Sequence, residues 1–345
     1  MSNDAIVALA VNDWVMLRMP GAFEQGGTEL HHGLAPRWDL TAGELVPSRE
    51  LKNFDRQSLL LLAAMSLIED ANQGESLARA AVIGGTSNGS IDTVIQLIKE
   101  SNESRFAFQV NPAQIPNTVI NSSVGQLAIK YGIKGANVSL CAKELSFYSA
   151  MVQGLRFARR GDFERIYATA METFSGEFGT LYADSHGLDA AERIDTAAIF
   201  SLRTCSDPQT PGPVVRSCVT GRLFPTSGAS LGDLILTFVA GNGVALDRLG
   251  QVSVSVAESW RAALDDLGQA FGEKLAVLQR AKALSLSLVG AYQLADLAQS
   301  VKAGDVGVMA CVDEEGFYGI ALVGCSEAQA GAAKGSRDSS KVGDV

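Results

Sequence analysis

The sequence predicts an α/β protein built from two similar halves. Strand-like runs alternate with helix-like runs along the chain, which is typical of α/β layers with mostly parallel sheets. The second half repeats the pattern of the first, and a proline-rich segment at 206–213 marks the boundary. We therefore expect halves at residues 1–208 and 209–326. A tail at 327–345 follows, and its Ala, Gly, Ser and Lys composition predicts disorder.

Composition and charge exclude several classes of function. The chain has 345 residues, of which 47% are hydrophobic and 19% charged, which is enough to bury a large core. The net charge of -10 argues against nucleic-acid binding, because phosphate contacts need clustered Lys and Arg. No apolar run reaches the ~18 residues of a membrane span. The N-terminus also lacks the basic start of a secretory signal, so a cytoplasmic protein is expected.

Cysteines and histidines are few and scattered. No cysteine pair has the spacing of a zinc site or of a redox motif, so we expect reduced cysteines, no disulfide framework and no metal. Two of the three histidines, His31 and His32, lie in a stretch expected to be a solvated loop, and the third is His186. The glycine-rich stretch 84–89 lacks the spacing of a phosphate loop and is interpreted as a tight strand-to-helix turn.

Hydrophobic patterns predict the elements of both halves. In the first half we expect helices at 55–71 and 111–130, with an irregular stretch at 174–190. The expected strands are 6–19, 80–85, 165–170 and 197–202 in the first half, and 214–221, 234–240 and 251–256 in the second.

The most informative stretch is a sharp turn from a strand into a helix at residues 135–151. A β-rich run at 138–141 passes into an amphipathic helix that ends at Arg159-Arg160-Gly161. Such an elbow presents a side chain at a helix N-terminus, where backbone N–H groups and the helix dipole favour a thiolate or an oxyanion. The residue at this elbow is Glu144.

Motifs around the elbow resemble those of the β-ketoacyl-ACP synthases of the thiolase superfamily. The segments that carry the resemblance are Pro116-Asn117, Gly125-Gln126, Tyr131-Gly132, Gly135-x-Asn137 and Arg159-Arg160-Gly161-Asp162. Weaker matches are Asp55-Arg56 and Gly316-Phe317-Tyr318-Gly319. The resemblance implies a thiolase-like, five-layered αβαβα fold of two similar halves, in which two chains normally pair across a large interface.

The resemblance also implies that the catalytic groups are missing. Counting from Asn137, and back from the end of the elbow helix, places Glu144 where the family has its nucleophilic cysteine. Cys141 falls three residues too early, and we expect it to be a buried core residue. The family's two histidines align with Gly241 and Ser287, whereas its lysine is retained as Lys282. Loss of the whole set predicts loss of the condensing reaction.

Bulky side chains follow the elbow where the family has small ones. Glu144, Phe147, Tyr148 and Met151 share one face of the predicted helix. In one interpretation, these side chains fill the chain's own acyl pocket and form part of the wall of a tunnel. In the other, they are ordinary residues of the hydrophobic core. Both interpretations predict that no open acyl site remains at the elbow. Pro116 and Asn117 are further candidates for the tunnel or the interface.

Within the family the chain is most similar to the non-catalytic chain length factor of type II polyketide synthases. That resemblance implies a heterodimer with a catalytic ketosynthase, which shapes the acyl tunnel for polyketide, polyene or fatty acyl synthesis. The substrate would arrive on the phosphopantetheine of an acyl carrier protein held by the partner, so this chain needs no cofactor of its own. The alternatives are a malonyl-ACP decarboxylase that primes synthesis and a homodimeric acyl-binding scaffold.

Overall fold

The described part of the chain folds into a twelve-stranded sheet with helices on its faces. The computed structural model describes residues 7–20, 28–32, 35–40, 54–68, 77–187, 194–206, 210, 212–224, 230–278 and 286–325. The strands are β1 (Ala8–Pro20), β2 (Thr28–His32), β3 (Ala35–Leu40), β4 (Ala81–Thr86), β5 (Asn137–Cys141), β6 (Arg165–Glu172), β7 (Ile194–Cys205), β8 (Pro213–Arg222), β9 (Leu249–Val256), β10 (Leu275–Val277), β11 (Val306–Val312) and β12 (Phe317–Cys325). The α-helices are α1 (Arg56–Ser66), α2 (Ile91–Glu103), α3 (Ser122–Tyr131), α4 (Ser146–Arg160), α5 (Glu177–His186), α6 (Leu231–Gly241), α7 (Ala263–Phe271) and α8 (Val289–Ser300).

The two halves of the sheet repeat one topology. The first half runs β5-β4-β6-β7-β1 and the second β10-β9-β11-β12-β8, and β1 meets β8 where the halves join. In each half the first three strands of this order are parallel, and the remaining pairings are antiparallel. The hairpin β2–β3 extends β1 outside the repeat. The sequence therefore predicted the duplication correctly, but the expectation of mostly parallel sheets is wrong, because each half is mixed.

Five layers follow from which face of each strand is covered. The central layer contains α4 and α8, packed between the two halves of the sheet in one apolar cluster. Helices α1 and α3 cover the outer face of the first half, and α6 and α7 cover that of the second. In β6, Ile166 and Ala168 point to the central layer, whereas Tyr167 and Met171 point outward. This alternation is the two-residue period of a strand that is buried on both faces.

Most predicted elements are confirmed, but four local expectations are wrong. The apolar run at 234–240 belongs to helix α6, which begins with a capping box between Ser230 and Asp233. The stretch at 174–190 contains helix α5 rather than irregular chain. His31 and His32 lie in β2, paired with β1, and not in a loop.

The fourth correction concerns the helix expected at 111–130. The structure has a 3₁₀ turn at Pro112–Thr118 and then α3, which ends at Gly132 with a φ of 65°. Val119, Ile120 and Ile129 belong to the apolar pattern that predicted this helix, but they are exposed, Ile129 by 78%. A helical pattern of apolar residues predicts that one face of a helix is apolar. It does not predict whether another part of the protein covers that face.

The predicted boundary at 208/209 and the tail at 327–345 lie outside the described residues.

Candidate functional site

Two elbows of the same construction face the middle of the molecule. In the first, β5 leads into a 3₁₀ turn at Lys143–Leu145 and then α4. In the second, a 3₁₀ turn at Leu286–Leu288 leads into α8. Each turn begins with a non-glycine residue at positive φ, 48° at Lys143 and 75° at Leu286, and among the described residues no other non-glycine residue has a positive φ. Such backbone is costly and is kept only where packing enforces it.

Glu144 and Ser287 occupy the same position in the two elbows, the middle of the turn. Both were aligned with catalytic residues of the family, and the structure places both at the start of a central helix. Glu144 is 7% exposed, so little of its side chain is accessible to a partner chain. Ser287 is fully buried.

The first elbow is held by short contacts with the end of β4. Ser146 Oγ accepts the Ala142 N–H at 3.0 Å and lies 3.1 Å from the Thr86 carbonyl oxygen. A Cβ atom on Gly85 would come 2.9 Å from the carbonyl carbon of Ser146, so only glycine allows this approach. The turn is therefore rigid, which is what a site built on it requires.

A buried carboxyl group, Glu172, lies between the two elbows. It ends β6 and accepts hydrogen bonds from the Ser87 N–H and from the side chains of Ser287 and Asn88. Burial raises the pKa of Glu172 from 4.5 to about 7, although these hydrogen bonds act in the opposite direction. Sequence reasoning missed this residue; a carboxylate at the end of a mostly apolar strand was the available signal.

Cys141 is exposed, which corrects the expectation of a buried core cysteine. It ends β5, the outermost strand of the first half, where the described chain places no further strand beside it. Its thiol donates to the Ser87 carbonyl oxygen at 3.0 Å. Partial burial, and then the nearby charge of Glu172, raise the pKa of the Cys141 thiol, which opposes formation of a nucleophilic thiolate.

A cavity of about 940 Å³ opens beside the first elbow, so the expectation that no open site remains there is wrong. It lies at the carboxyl ends of the parallel strands, between the two halves. The described residues that line it are Ser87, Asn88, Cys141, Ala142, Lys143, Leu145, Ser149, Phe178, Tyr182, Thr220, Gly221, Arg222, Leu286, Asp313, Glu315 and Phe317. The wall supplied by α5, with Phe178 and Tyr182, was not predicted, because that helix was not recognised in the sequence.

Charged groups at the cavity are paired with one another. Lys143 Nζ donates to Glu315 Oε1 at 2.6 Å, which raises the pKa of Lys143 and lowers that of Glu315. Arg222 stacks over Phe317 at 4.8 Å and donates to the Glu315 carbonyl oxygen at 3.3 Å. The Lys143–Glu315 pair joins the first elbow to the β11–β12 turn of the second half.

The bulky residues of the elbow helix lie in the core, as one of the two interpretations expected. Phe147, Tyr148 and Met151 have no exposed surface and do not line the cavity. The Tyr148 hydroxyl donates to Gln293 Oε1, and Gln293 Nε2 donates in turn to backbone carbonyl oxygens of β9 and β11. Tyr148 thus connects the two halves through the central layer.

Two further candidates are not brought to the elbow. Gly241 is the last residue of α6 and is exposed in the outer layer, on the opposite face of the sheet from α4. The motif that aligned Gly241 with a catalytic histidine thus lies at the end of a helix, where a strand at 234–240 was expected. Lys282 lies outside the described residues.

Pro116 and Asn117 lie in the 3₁₀ turn before α3. Pro116 is exposed, whereas Asn117 is buried and donates to Gln114 Oε1 at 2.9 Å. This part of the chain also exposes several large apolar side chains, which we call together the 106–129 surface: Phe106, Phe108, Ile115, Val119, Ile120 and Ile129.

Two searches of the described residues give negative results. No helix in that part of the chain is long and apolar enough to cross a membrane. No group of three or more His, Cys, Asp or Glu residues there could hold a metal ion.

Comparison with known proteins identifies the fold. No protein-family model and no curated protein sequence matches the chain. Among solved structures, the ishigamide ketosynthase/chain length factor is similar with a TM-score of 0.70 and 16% identity, over 92% of this chain and 99% of that one. The ketosynthase ApeO in complex with its chain length factor ApeC, from Xenorhabdus doucetiae, is similar with a TM-score of 0.63 and 13% identity, over 94% of this chain and 100% of that one. AntDE:AntF, a type II PKS acyl-carrier protein in complex with its ketosynthase, is similar with a TM-score of 0.65 and 12% identity, over 92% of this chain and 99% of that one.

The chain therefore has the thiolase-like fold of these ketosynthase and chain length factor structures, and the fold that the motif resemblance implied is confirmed. At these identities the likeness establishes the fold, and the function has to be argued from the site.

Proposed function

We propose that this chain is a non-catalytic, ketosynthase-like subunit of the chain length factor type. It pairs with a catalytic ketosynthase and shapes the acyl tunnel in type II polyketide, polyene or fatty acyl synthesis. The acyl carrier protein delivers the substrate to the partner, in the cytoplasm. The observation that carries this proposal is the pair of intact elbows, whose central positions hold Glu144 and Ser287 instead of a nucleophile and a histidine.

The chemistry of the elbows supports a structural role. Glu144 carries a carboxyl group where the family has a thiol. Ser287 is buried and lies 3.3 Å from the Met171 carbonyl oxygen. The pKa of the Cys141 thiol is raised, which disfavours the thiolate. No histidine of the described chain lines the cavity. A condensing enzyme needs an activated nucleophile and groups that stabilise the developing oxyanion. The elbow thus has a structural role, and the partner supplies the reacting groups.

An uncovered surface next to the elbow supports pairing with a second chain. In the described sheet the outer edge of β5 has no neighbouring strand, and an unpaired edge is a template for another chain. The 106–129 surface precedes β5 and exposes Phe108 and Ile129 by 78% each. Exposed apolar patches of this kind mark interfaces. We propose that this surface faces the partner's tunnel near Pro116, and that Phe147, Tyr148 and Met151 act by holding the elbow in place.

A homodimeric acyl-binding scaffold is the second candidate, because the cavity beside the first elbow could hold a ligand without a partner. The decarboxylase alternative is disfavoured because no histidine of the described chain lines the cavity, where one would be needed to stabilise an enolate.

Co-expression with an intact ketosynthase encoded beside this chain tests the proposal. We expect native mass spectrometry to show a one-to-one complex, because the ketosynthase would bury the exposed apolar side chains of the 106–129 surface. Ile129→Asp, which puts a charge on that surface, should weaken the complex at least tenfold. Leu246→Asp is the control, since Leu246 is also an exposed aliphatic residue, by 55%, but lies in the second half. A homodimer that excludes the ketosynthase would overturn the proposal in favour of the scaffold.

A further inference from the structure

We infer that the chain carries a docking surface for an acidic protein at the end of the molecule opposite the elbows. Six exposed basic residues form this surface, which we call the basic end: Arg79, Lys134, Arg156, Arg159, Arg160 and Arg203. The inference goes beyond the proposed function, which gives these residues no role. It can therefore fail while the pairing with a ketosynthase holds.

The basic end is separated from the cavity by the length of the central helix α4. The parallel strands β4, β5 and β6 begin at the basic end and finish on the side of the elbows. Helix α4 starts at the first elbow and has 15 residues, so it is about 22 Å long. Arg156, Arg159 and Arg160 lie in its last two turns, and their side chains are exposed.

Backbone contacts place Lys134 close to Arg79, where the parallel strands begin. The Lys134 N–H donates to the Ala78 carbonyl oxygen at 3.3 Å. A Cβ atom on Gly135 would come 2.7 Å from Cε1 of Phe163, so the loop before β5 packs against the loop before β6. This basic pair is thus held next to the segment that follows α4.

Phe163 links the pair to α4 and to Arg203. Its ring meets the Phe157 ring of α4 edge to face, with centroids 5.2 Å apart. Its carbonyl oxygen accepts the Thr204 hydroxyl at 2.9 Å, and the Glu164 carbonyl oxygen accepts the Thr204 N–H at 3.1 Å. Arg203 precedes Thr204 in β7 and therefore lies at the same end.

Few carboxyl groups balance the charges of the basic end. In the described segments that form it, the carboxyl groups are Asp162 and Glu164, and Asp162 bonds Arg160 at 2.9 Å. Six exposed cations thus meet two carboxylates, in a chain whose net charge is -10. Such a concentration of one sign produces a local positive potential that attracts acidic partners.

The helix dipole explains only part of this cluster. Cations are favourable in the last turn of a helix, where Arg159 and Arg160 lie. Arg79, Lys134 and Arg203 lie outside α4, so its dipole gives no reason for their presence. A shared anionic partner gives a reason for all of them.

The residue types favour an acidic protein over a membrane or a nucleic acid. Five of the six basic residues are arginines, whose guanidinium groups bind carboxylates through two parallel hydrogen bonds. A membrane-binding surface also exposes large apolar side chains, and the described segments of the basic end expose none. A long nucleic acid would be repelled by the negative charge of the rest of the chain.

Binding of a fluorescent oligoglutamate peptide to the full-length chain tests the inference. We expect fluorescence anisotropy to show saturable binding at low ionic strength that weakens as salt is added. The double variant Lys134→Ala/Arg156→Ala should weaken binding at least tenfold. The matched control is Arg261→Ala/Lys302→Ala, which removes the same two residue types from exposed positions of the second half and should change binding less than twofold.

A third variant tests the charge balance. Asp162→Asn leaves Arg160 without its carboxylate partner, so it should tighten binding of the peptide at least twofold. Failure of the peptide to bind, or an equal loss of binding in the two double variants, would overturn the inference. Tighter binding of vesicles of phosphatidylcholine with phosphatidylglycerol, or of an oligothymidylate, would overturn the choice of an acidic protein.

Discussion

At the scale of single residues, Glu172 is the group whose setting has the clearest measurable consequence. It is 1% exposed, its contacts come from hydroxyl, amide and backbone donors, and its pKa is raised to about 7. Because the folded state holds this proton more tightly than the unfolded chain does, the contribution to stability is fully present below the ordinary pKa of 4.5 and is lost as the pH rises through 7.

We expect the free energy of unfolding to fall by on the order of 3 kcal/mol between about pH 4.5 and about pH 8 because of this one group. Glu172→Gln keeps the shape without the charge, so it should remove most of that dependence. Urea unfolding of both proteins across this pH range measures the difference. If the free energy of unfolding changed with pH in the same way in both proteins, the pKa of Glu172 would not be raised in the folded state and the prediction would be wrong.

At the scale of elements, the central helices depend on glycines that make room for Tyr148. A Cβ atom on Gly319 of β12 would come 2.5 Å from Tyr148 Cγ, and one on Gly290 of α8 would come 3.0 Å from the same ring. The ring cannot move aside easily, because it is fully buried and its hydroxyl is bonded to Gln293.

We therefore expect Gly319→Ala to destabilise the protein by about 1–3 kcal/mol through overpacking. Gly241→Ala is the control, since nothing lies within 4 Å of the added Cβ and the residue ends a helix. It should be neutral or stabilising by up to about 1 kcal/mol. Thermal and urea unfolding of the two variants decide the matter, and equal losses of stability would contradict the packing of Tyr148.

Helices and strands were predictable where the hydrophobic pattern of the sequence fitted only one of the two. The strand, turn and helix of the first elbow followed from residues 135–151, and Glu144 was placed correctly at a helix start. Helix α6 was missed because its sequence, Leu231–Gly241, is apolar on nearly all sides, so periodicity cannot separate it from a buried strand. The Ser230–Asp233 capping box was the signal that could have separated them.

At the scale of the whole molecule, the repeated strand order explains why the site lies between the halves. Each half contributes one elbow at the carboxyl ends of its parallel strands, and the two central helices bring the elbows together. The duplication was visible in the sequence as a repeated pattern. The cavity and the exposed 106–129 surface were not, because both depend on how distant segments pack and on which apolar faces remain uncovered.

The central claim is that this chain shapes a condensing complex without supplying a reacting group. Its most direct test is the condensing rate of the complex with the co-expressed ketosynthase, followed by mass spectrometry of the acyl carrier protein products. With Glu144→Gln in this chain, we expect the rate to stay within about twofold of the parent, which is a barrier change of under 1 kcal/mol. The chain alone should form no product. A large loss of rate on replacing Glu144, or condensation by the isolated chain, would contradict the account.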